Sequence, residues 1–339
     1  QTWETCTGDG HDGNSSQSIL LAVPMFHVNG WAIPFAAAMS GAKLVLPGPD
    51  LSAEALVRQI QDERITFSAG VPTIWLSIVQ YLKDTGSDVP SLQRIAVGGS
   101  AAPRSLMDTL EDDYGVFVSH IWGMTEMTQG SAGRFTHRVT ELDREQKRRR
   151  QAMAGRELYG VELRLVDGDG EDVARDGSSP GELLARGPWV AGAYFELDDD
   201  TTHMTDENGV WLRTGDVATM DAEGYISIVD RAKDVIKSGG EWISSIELEN
   251  AAVGAPGLAE AAAVGMPHDR WGERPLLLVV LEPGAEFNRD EILETIKPHV
   301  ASWWLPDAVV AVEEIPHTGT GKINKKLLRE EFAGFEWPQ

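Results

Sequence analysis

The chain has 339 residues, 42% hydrophobic and 24% charged, with 53 acidic against 29 basic side chains and a net charge of −24. That length holds two domains and a sizeable core, and the acid surplus argues against nucleic acid or an anionic membrane as partner. No apolar run nears the ~20 residues of a membrane-spanning helix, and the single cysteine, Cys6, rules out an internal disulfide and points to a reducing cytoplasm.

Only 9 of the 29 basic residues are Lys. Acid on this scale is one way to stay hydrated in concentrated salt, and an ordinary acidic surface is the competing explanation. Salt adaptation predicts a melting temperature that climbs with KCl; no gain by molar KCl removes that explanation.

Ser18 to Val23 is a short buried strand, followed by Pro24-Met25-Phe26-His27-Val28-Asn29-Gly30-Trp31. His27 fits a satisfied core histidine, or shares one helical face with Trp31 four residues on. Lys43 to Leu46 is a strand. The next helix has Ser52 as cap, Glu54 in its first turn, and Ala53, Leu56, Val57 and Ile60 on one face. Ile65 to Ala69 is a strand, and Pro72 opens a helix through Trp75, Ile78, Val79 and Leu82. Leu92 to Val97 is a strand ending at Gly98-Gly99-Ser100. Pro103 opens a helix that Gly115 ends, and Val116 to Ile121 runs as a strand into Trp122-Gly123-Met124-Thr125-Glu126.

This alternation predicts a parallel sheet with right-handed crossovers. Gly98-Gly99-Ser100 and Trp122 to Glu126 then fall on one edge, where open α/β sheets bind ligands. Trp122 offers a flat face, Gly123 a close approach to the backbone, Thr125 a hydroxyl and Glu126 a carboxylate. Alone, the segment also fits an ordinary turn.

Arg144 to Arg150 is a basic helical run, expected as a solvated face pairing with nearby carboxylates. From Gly160 the period becomes two. Val161 to Val166, Gly181 to Arg186 and Tyr225 to Val229 read as antiparallel strands of a small β-barrel-like layer. Thr214-Gly215-Asp216 is expected as a turn after Val210 to Arg213; Asp216 there is a plain hairpin residue or a chelator of a ribose diol. Asp230 to Lys237, then Ser238-Gly239-Gly240, reads as a charged, flexible boundary. Beyond it the chain restarts as α+β: helix Ile243 to Val253, strands Leu258 to Val264 and Pro275 to Leu281, a helix capped by Asn288 with Glu291, and strand Val309 to Val312. Pro316-His317-Thr318-Gly319-Thr320-Gly321-Lys322 is a glycine and threonine loop before a helix from Lys325 to Phe332. Its lysine is a surface residue or one that reaches elsewhere.

In this order the pieces resemble the adenylate-forming superfamily, and within it the AMP-forming fatty acyl-CoA synthetases. The likeness rests on Pro24 to Trp31, Gly98 to Pro103, Trp122 to Glu126 (with Trp where Tyr is commoner), Thr214 to Asp216, Asp230 to Trp242 and Pro316 to Lys322. It runs from about residue 19 to 332. It implies an ATP-dependent fatty acid–CoA ligase: the carboxylate attacks the α-phosphate of Mg-ATP, giving acyl-AMP and pyrophosphate, and the thiol of coenzyme A then releases AMP. Another carboxylate, or a non-catalytic nucleotide- or acyl-binding fragment, are the alternatives.

By the same resemblance Lys322 neutralises charge on the α-phosphoryl group, Glu126 holds Mg²⁺ and Thr125 touches phosphate. Gly98, Gly99, Ser100, His120, Trp122, Gly123 and Met124 border the adenine. Asp216 and Arg231 grip the ribose, and Lys233 stands at the hinge. Lys237 and Trp242 close over the nucleotide, Gly239 and Gly240 line the pantetheine channel, and His27 and Trp31 border the acyl tunnel.

The implied organisation is the C-terminal portion of a large AMP-binding domain over 1–232, with an α/β layer about 19–155 and a β subdomain about 156–230, and a mobile α+β domain over 233–339. The expected partners are small molecules, with a homodimer left open. The family's phosphate loop, rich in Ser, Thr and Gly and ending in Pro-Lys, is missing upstream of Pro24; Thr7 to Gly13 lacks the lysine and does not replace it. With Gln1 as first residue, the chain reads as the later part of a longer ligase.

Overall fold

The computed structural model describes residues 15–133, 141–197, 200–207, 209–319 and 321–337. Cys6, the Thr7 to Gly13 stretch and Thr320 lie outside the described residues. The chain divides into two compact units, Gln1–Thr214 with Ala218–Ile228, and Gly215–Val217 with Val229–Gln339. Among the described residues no helix is long and apolar enough to cross a membrane.

The first unit begins with β1 (Ser18–Leu21), α1 (Ile33–Ser40), β2 (Lys43–Val45), α2 (Ala53–Asp62), β3 (Phe67–Gly70), α3 (Pro72–Thr85), β4 (Arg94–Val97), α4 (Arg104–Tyr114) and β5 (Phe117–Trp122). The five strands pair in parallel in the order β2-β1-β3-β4-β5, as the alternation predicts. Local chemistry sets the helix ends. The Ser52 hydroxyl accepts from Ala55 N at 3.3 Å, Pro72 occupies the first turn of α3, and Gly86 and Gly115 adopt the left-handed conformation that ends α3 and α4.

Both faces of this sheet are covered. Leu20, Ile95, Val97 and Val118 pack under Leu56, Ile60, Trp75, Ile78 and Leu106 of the helices. Ile19, Leu21, Phe67, Ala69, Ala96 and Ile121 face the opposite side with Trp31 and Ile33. Burial on both faces explains why these strands read as apolar runs rather than alternations. Each fully buried Leu or Ile contributes about 1.5–3 kcal/mol.

Next come β6 (Ser131–Ala132), α5 (Arg144–Ala152), β7 (Gly155–Glu157), β8 (Glu162–Val166), β9 (Gly181–Arg186), β10 (His203–Asp206), β11 (Gly209–Met220) and β12 (Tyr225–Arg231). The expected barrel-like layer is hydrogen-bonded to the parallel part. β6 pairs antiparallel with β5, β7 with β6, and β12 with β7, so one sheet of 12 strands runs through both.

α5 carries the basic run, capped by Asp143 with Gln146 in a reciprocal box. Its expected carboxylate pairing is observed, but its face is not wholly solvated. The Arg148 side chain is 6% exposed and meets Asp108 at 3.1 Å and Asp112 at 3.4 Å, with Glu111 also in contact. Arg150 meets Asp221 at 2.5 Å. Three α4 carboxylates around one guanidinium keep its charge paired while it is buried.

Three other local expectations are corrected. Val28–Trp31 is not a right-handed helical turn: Val28, Asn29, Gly30, Trp31 and Ala32 have φ of 46°, 51°, 66°, 54° and 59°. His27 precedes this left-handed turn as its N-cap, so the right-handed helical segment expected for His27 and Trp31 does not form. A left-handed conformation costs about 1–2 kcal/mol per non-glycine residue, and burial of the Trp31 indole, 8% exposed, opposes that cost. Thr214-Gly215-Asp216 is not a turn but the middle of β11, where Gly215 at φ 72° supplies a local kink. Ser238-Gly239-Gly240 is not a loose boundary: it closes the hairpin of β13 (Ile236–Ser238) and β14 (Glu241–Ile243). Gly239 and Gly240, at φ 61° and 90°, form the two-residue turn that needs positive φ at both positions.

The second unit continues with α6 (Ser245–Ala252), β15 (Leu258–His268), β16 (Gly272–Leu281), α7 (Arg289–Ile296), β17 (Ala308–Ala311) and α8 (Lys325–Glu331). Its sheet has the order β14-β13-β16-β15, with β17 parallel to β16. Ile243 ends a strand here, so the helix expected from Ile243 begins later, capped by the Ser244 hydroxyl. Asn288 caps α7 as expected, 3.3 Å from Glu291 N.

Candidate active-site segments

In the first unit, β4 and β5 pair with Val97 opposite His120, which brings Gly98 and Trp122 to the same carboxyl edge. A Cβ on Gly98 would lie 2.8 Å from Ile121 Cγ1, 3.1 Å from Ile121 O and 3.2 Å from the Trp31 ring. The glycine lets the Trp31 ring and the sheet edge close on one another. Gly98→Ala is expected to lower stability by about 1–3 kcal/mol through overpacking. Urea denaturation checks this; a loss under about 0.5 kcal/mol would mean that Ile121 and Trp31 yield freely. Gly99, at φ 86°, and Ser100 are exposed beyond it.

Two residues at this edge are buried. His120 is 6% exposed, and its Nδ1 lies 3.1 Å from Ala152 O. Burial lowers its pKa, against hydrogen bonds to the Ala152 and Ser100 backbone. The ring staples the glycine loop to β5. Trp122 is 9% exposed, in a cluster with Met127, Val161 and Leu163, and a side chain at Gly130 would collide with its ring. One indole face is thus part of the core. Gly123 is required by its own chain, since a Cβ would lie 2.1 Å from Thr128 O. Met124 packs against the same cluster as Trp122.

The turn beyond is tight: Thr128 N donates to Met124 O at 2.7 Å and Gly130 N to Trp122 O at 2.9 Å. It leaves Thr125 exposed and Glu126 half-buried. Glu126 Oε1 accepts from the Tyr194 hydroxyl at 2.7 Å. Burial, with the Glu126 carboxylate, pushes the Tyr194 phenol up to about 12. Among the described residues no three His, Cys, Asp or Glu side chains converge as a metal cage. A single carboxylate such as Glu126 fits a cation that arrives on nucleotide phosphates, as Mg²⁺ does. His27 is half-buried at the head of the left-handed turn.

In the second unit, Asp216 is 2% exposed and accepts from Arg231 Nε at 2.7 Å. Lys322 lies within electrostatic reach of both. Burial lowers its pKa, Arg231 lowers it further, and Asp216 partly opposes them. Its loop folds back on itself: Thr318 N donates to Lys322 O at 2.7 Å and Lys322 N to Thr318 Oγ1 at 3.2 Å. Asp216 and Arg231 thus form an ion pair within electrostatic reach of Lys322, about a hundred residues further along the chain. Lys233, Lys237 and Trp242 are exposed. Trp271 O accepts from Gly239 N at 2.8 Å, tying the glycine turn to β16.

Sequence reasoning missed the layer beneath. Asp230, 1% exposed, accepts from Ser245 N at 2.7 Å and from the Ser245 hydroxyl. Lys325 Nζ donates to that hydroxyl and meets Glu249 at 2.8 Å. A charged run and a lysine at a helix start read as surface; only the fold turns them inward. Tyr194 was missed for the same reason, since its partner Glu126 lies 68 residues away in sequence.

Fold and segments define a two-unit α/β protein with its glycine loop and acidic turn at the carboxyl edge of a parallel sheet. The AMP-binding enzyme family matches residues 1–195, and the AMP-binding enzyme C-terminal domain matches residues 247–322. The chain belongs to the AMP-binding enzyme family. It is 46% identical over 322 residues to a 3-methylmercaptopropionyl-CoA ligase of Ruegeria lacuscaerulensis, covering 94% of this chain and 59% of the relative. It is 45% identical over 329 residues to a long-chain-fatty-acid–CoA ligase of Thermus thermophilus, covering 96% and 60%. The chain therefore spans about three fifths of the length of these curated relatives. In fold it is similar to ATP-bound MatB from Rhodopseudomonas palustris, with a TM-score of 0.79 and 23% identity over 94% of this chain and 61% of that one. It is also similar to an o-succinylbenzoate CoA synthetase from Bacillus subtilis in complex with its acyl-adenylate, with a TM-score of 0.75 and 26% identity over 92% and 60%.

Proposed function

We propose that the chain is the later part of an AMP-forming acid–thiol ligase that activates an unbranched, apolar-tailed carboxylic acid with ATP and passes the acyl group to coenzyme A. The observation that carries this reading is the grouping of Asp216, Arg231 and Lys322. It presents a ribose-matching carboxylate and a partly desolvated ammonium together, from three separate stretches of chain.

In the first step a carboxylate oxygen bonds to the α-phosphorus and the bond to pyrophosphate breaks. Charge grows on the phosphoryl oxygens, and the Lys322 ammonium stabilises it where water is partly excluded. Asp216 accepts hydrogen bonds from the ribose hydroxyls, with Arg231 holding the carboxylate in place. Glu126 would hold the Mg²⁺ that accompanies ATP, which would supply charge neutralisation at the phosphates, and Thr125 would touch the phosphate. The adenine edge is formed by Gly98, Gly99, Ser100 and the rim of Trp122, with His120 bracing the loop. In the second step the thiol attacks the acyl carbon and AMP leaves. Gly239 and Gly240 fit the pantetheine side of that step, with Lys237 and Trp242 beside them and Lys233 as pivot of the C-terminal portion.

Identity of 45–46% to ligases named for fatty acids and for 3-methylmercaptopropionate supports an acid with a linear tail. The thioether acid is the second reading, favoured by the 46% match.

The test is carboxylate-dependent ATP–pyrophosphate exchange by the chain joined to the upstream half of the ligase. Fatty acids of graded length are compared with 3-methylmercaptopropionate and aryl acids. Exchange with linear acids is expected; exchange with aryl acids alone overturns the substrate class, and no exchange with any acid overturns the ligase reading.

A further inference from the structure

The stretch between β9 and β10 does more than connect strands. It returns over the acidic turn and grips it twice: Ala191 N donates to Glu126 O at 2.8 Å, and the Tyr194 hydroxyl donates to Glu126 Oε1 at 2.7 Å. This strap is itself held from behind. His203 Nε2 lies 3.1 Å from Ala191 O, its Nδ1 lies 2.9 Å from Thr202 Oγ1, and its ring meets that of Tyr194 edge-on at 6.0 Å between centroids. A ring nitrogen facing a carbonyl must donate, so Nε2 carries a proton. Tyr194 thus lies between the Glu126 carboxylate and the His203 imidazole, on a strap whose Ala191 is bonded to both residues' segments.

We infer that Tyr194 is a positioning residue that fixes one oxygen of the Glu126 carboxylate and leaves the other to bind a divalent cation singly. This rests on the proposed role of Glu126 as the metal carboxylate. The physical case is geometric. A glutamate on a half-buried turn rotates about three bonds and can offer its oxygens one at a time or together. A phenol bonded to Oε1 restricts that rotation and takes up one of that oxygen's lone pairs, which favours binding of a cation through Oε2. Mg²⁺ requires a near-ideal octahedron and takes one or two carboxylates plus phosphates and water, so single-oxygen binding suits it, while the wider shell of Ca²⁺ tolerates both oxygens. Hydrogen-bond partners of this kind set the orientation of a metal ligand and alter affinity 10–100-fold when removed. The link also has direction: the strap leads through His203 of β10 to its partner β11, tying the acidic turn to the strand that carries Thr214.

The test uses Mn²⁺–ATP as probe and the chain joined to the upstream half of the ligase. Binding is followed by the electron paramagnetic resonance of free Mn²⁺. The wild type is compared with Tyr194→Phe, Glu126→Gln and the double variant. Tyr194→Phe keeps the ring and its contact with His203, so its melting temperature should match the wild type and any loss reflects the hydroxyl. Expected are a roughly tenfold loss of Mn²⁺–ATP affinity in Tyr194→Phe, a larger loss in Glu126→Gln, and a double variant no weaker than Glu126→Gln alone. In the exchange assay the Mg²⁺ requirement of Tyr194→Phe should rise with the KM for the acid unchanged, a split that a merely structural contact would not produce. A Phe variant that binds Mn²⁺–ATP like the wild type, or additive losses in the double variant, overturns the inference alone. A wild type without Mn²⁺–ATP affinity overturns the proposed function, and the inference falls with it.

Discussion

Replacing Lys322 by Met is expected to lower the rate of acyl-adenylate formation by about 10²–10³-fold, the range found when one preorganised donor to a developing oxyanion is removed. The expectation follows from where the ammonium sits. The Thr318 and Lys322 backbones bond to each other, so the loop presents its lysine from a closed turn. Burial and the Arg231 cation both disfavour the charged form, and Asp216 only partly offsets them. A poorly solvated cation gains most when negative charge grows beside it, which happens in the transition state and not in the bound ground state. The turnover number and kcat/KM should therefore fall together, with the KM for ATP little changed.

The pH profile adds a second check. A lysine whose folded pKa is depressed keeps its proton below that value and loses it as pH rises through it. Activity should then fade on the alkaline side at a lower pH than an ordinary lysine would give. Lys322→Arg, which stays charged, should move that limb upward even if its peak rate is lower. The Met variant should be no less stable than the wild type, because it removes a cation that burial disfavours. A near wild-type rate in Lys322→Met would take the residue out of the chemistry.

Lys325→Met is expected to cost about 3–5 kcal/mol of stability at neutral pH, the penalty for stripping one partner from a buried ion pair. The Lys325 and Glu249 side chains are 10% and 13% exposed, and Asp230 is 1% exposed, so water cannot replace the lost ammonium. The directions of the shifts agree with one cation shared by two acids. Burial disfavours the charge on Lys325, but Glu249 and Asp230 outweigh it and its pKa is raised. Burial raises both Glu249 and Asp230, with Lys325 opposing. Lys325 thus contributes stability that is present below the ordinary lysine range and lost only as pH climbs past its raised value. The two acids, with raised values, favour the folded state as pH falls through the range above their ordinary values. In the Met variant their pKa values rise further, so its deficit should shrink in mild acid. Urea denaturation at neutral and mildly acidic pH measures this; a deficit independent of pH would mean that the network carries no buried charge. Lys325→Met with Glu249→Leu should recover much of the loss, because both charged ends are then gone. Since Lys325 opens α8 three residues after Lys322, the network also anchors the loop that carries the proposed catalytic cation.

Much of the first unit was legible from its sequence because local rules and tertiary packing agree there. Ser52, Pro72 and Gly115 mark helix ends for reasons internal to a few residues, and strands covered on both faces show as short apolar runs whatever lies above them. The shared edge of Gly98 and Trp122 followed from strand–helix alternation alone, since parallel strands place all their carboxyl ends together. Where local rules and tertiary context diverged, the sequence misled. Thr214-Gly215-Asp216 has the composition of a turn, yet hydrogen bonding along β11 carries it through as strand, with Gly215 absorbing the kink. Val28 to Ala32 has nothing to announce a left-handed turn, because the strain is balanced by burying Trp31 against residues as distant as Gly98.

By itself the sequence determined the order of elements, the parallel layer, the two-part organisation and the set of residues matching an adenylate-forming enzyme. These depend on spacing, capping chemistry and residue type, which are local. The tertiary structure alone decided which polar groups face inward. It paired Asp216 with Arg231 within electrostatic reach of Lys322, buried Lys325 between Glu249 and Asp230, set Arg148 among three carboxylates, packed His120 and one face of Trp122 into the core, and laid Tyr194 on Glu126. The physical reason is desolvation. Whether a charge is solvated or must be paired depends on what packs over it, and the packing partners lie tens to hundreds of residues away.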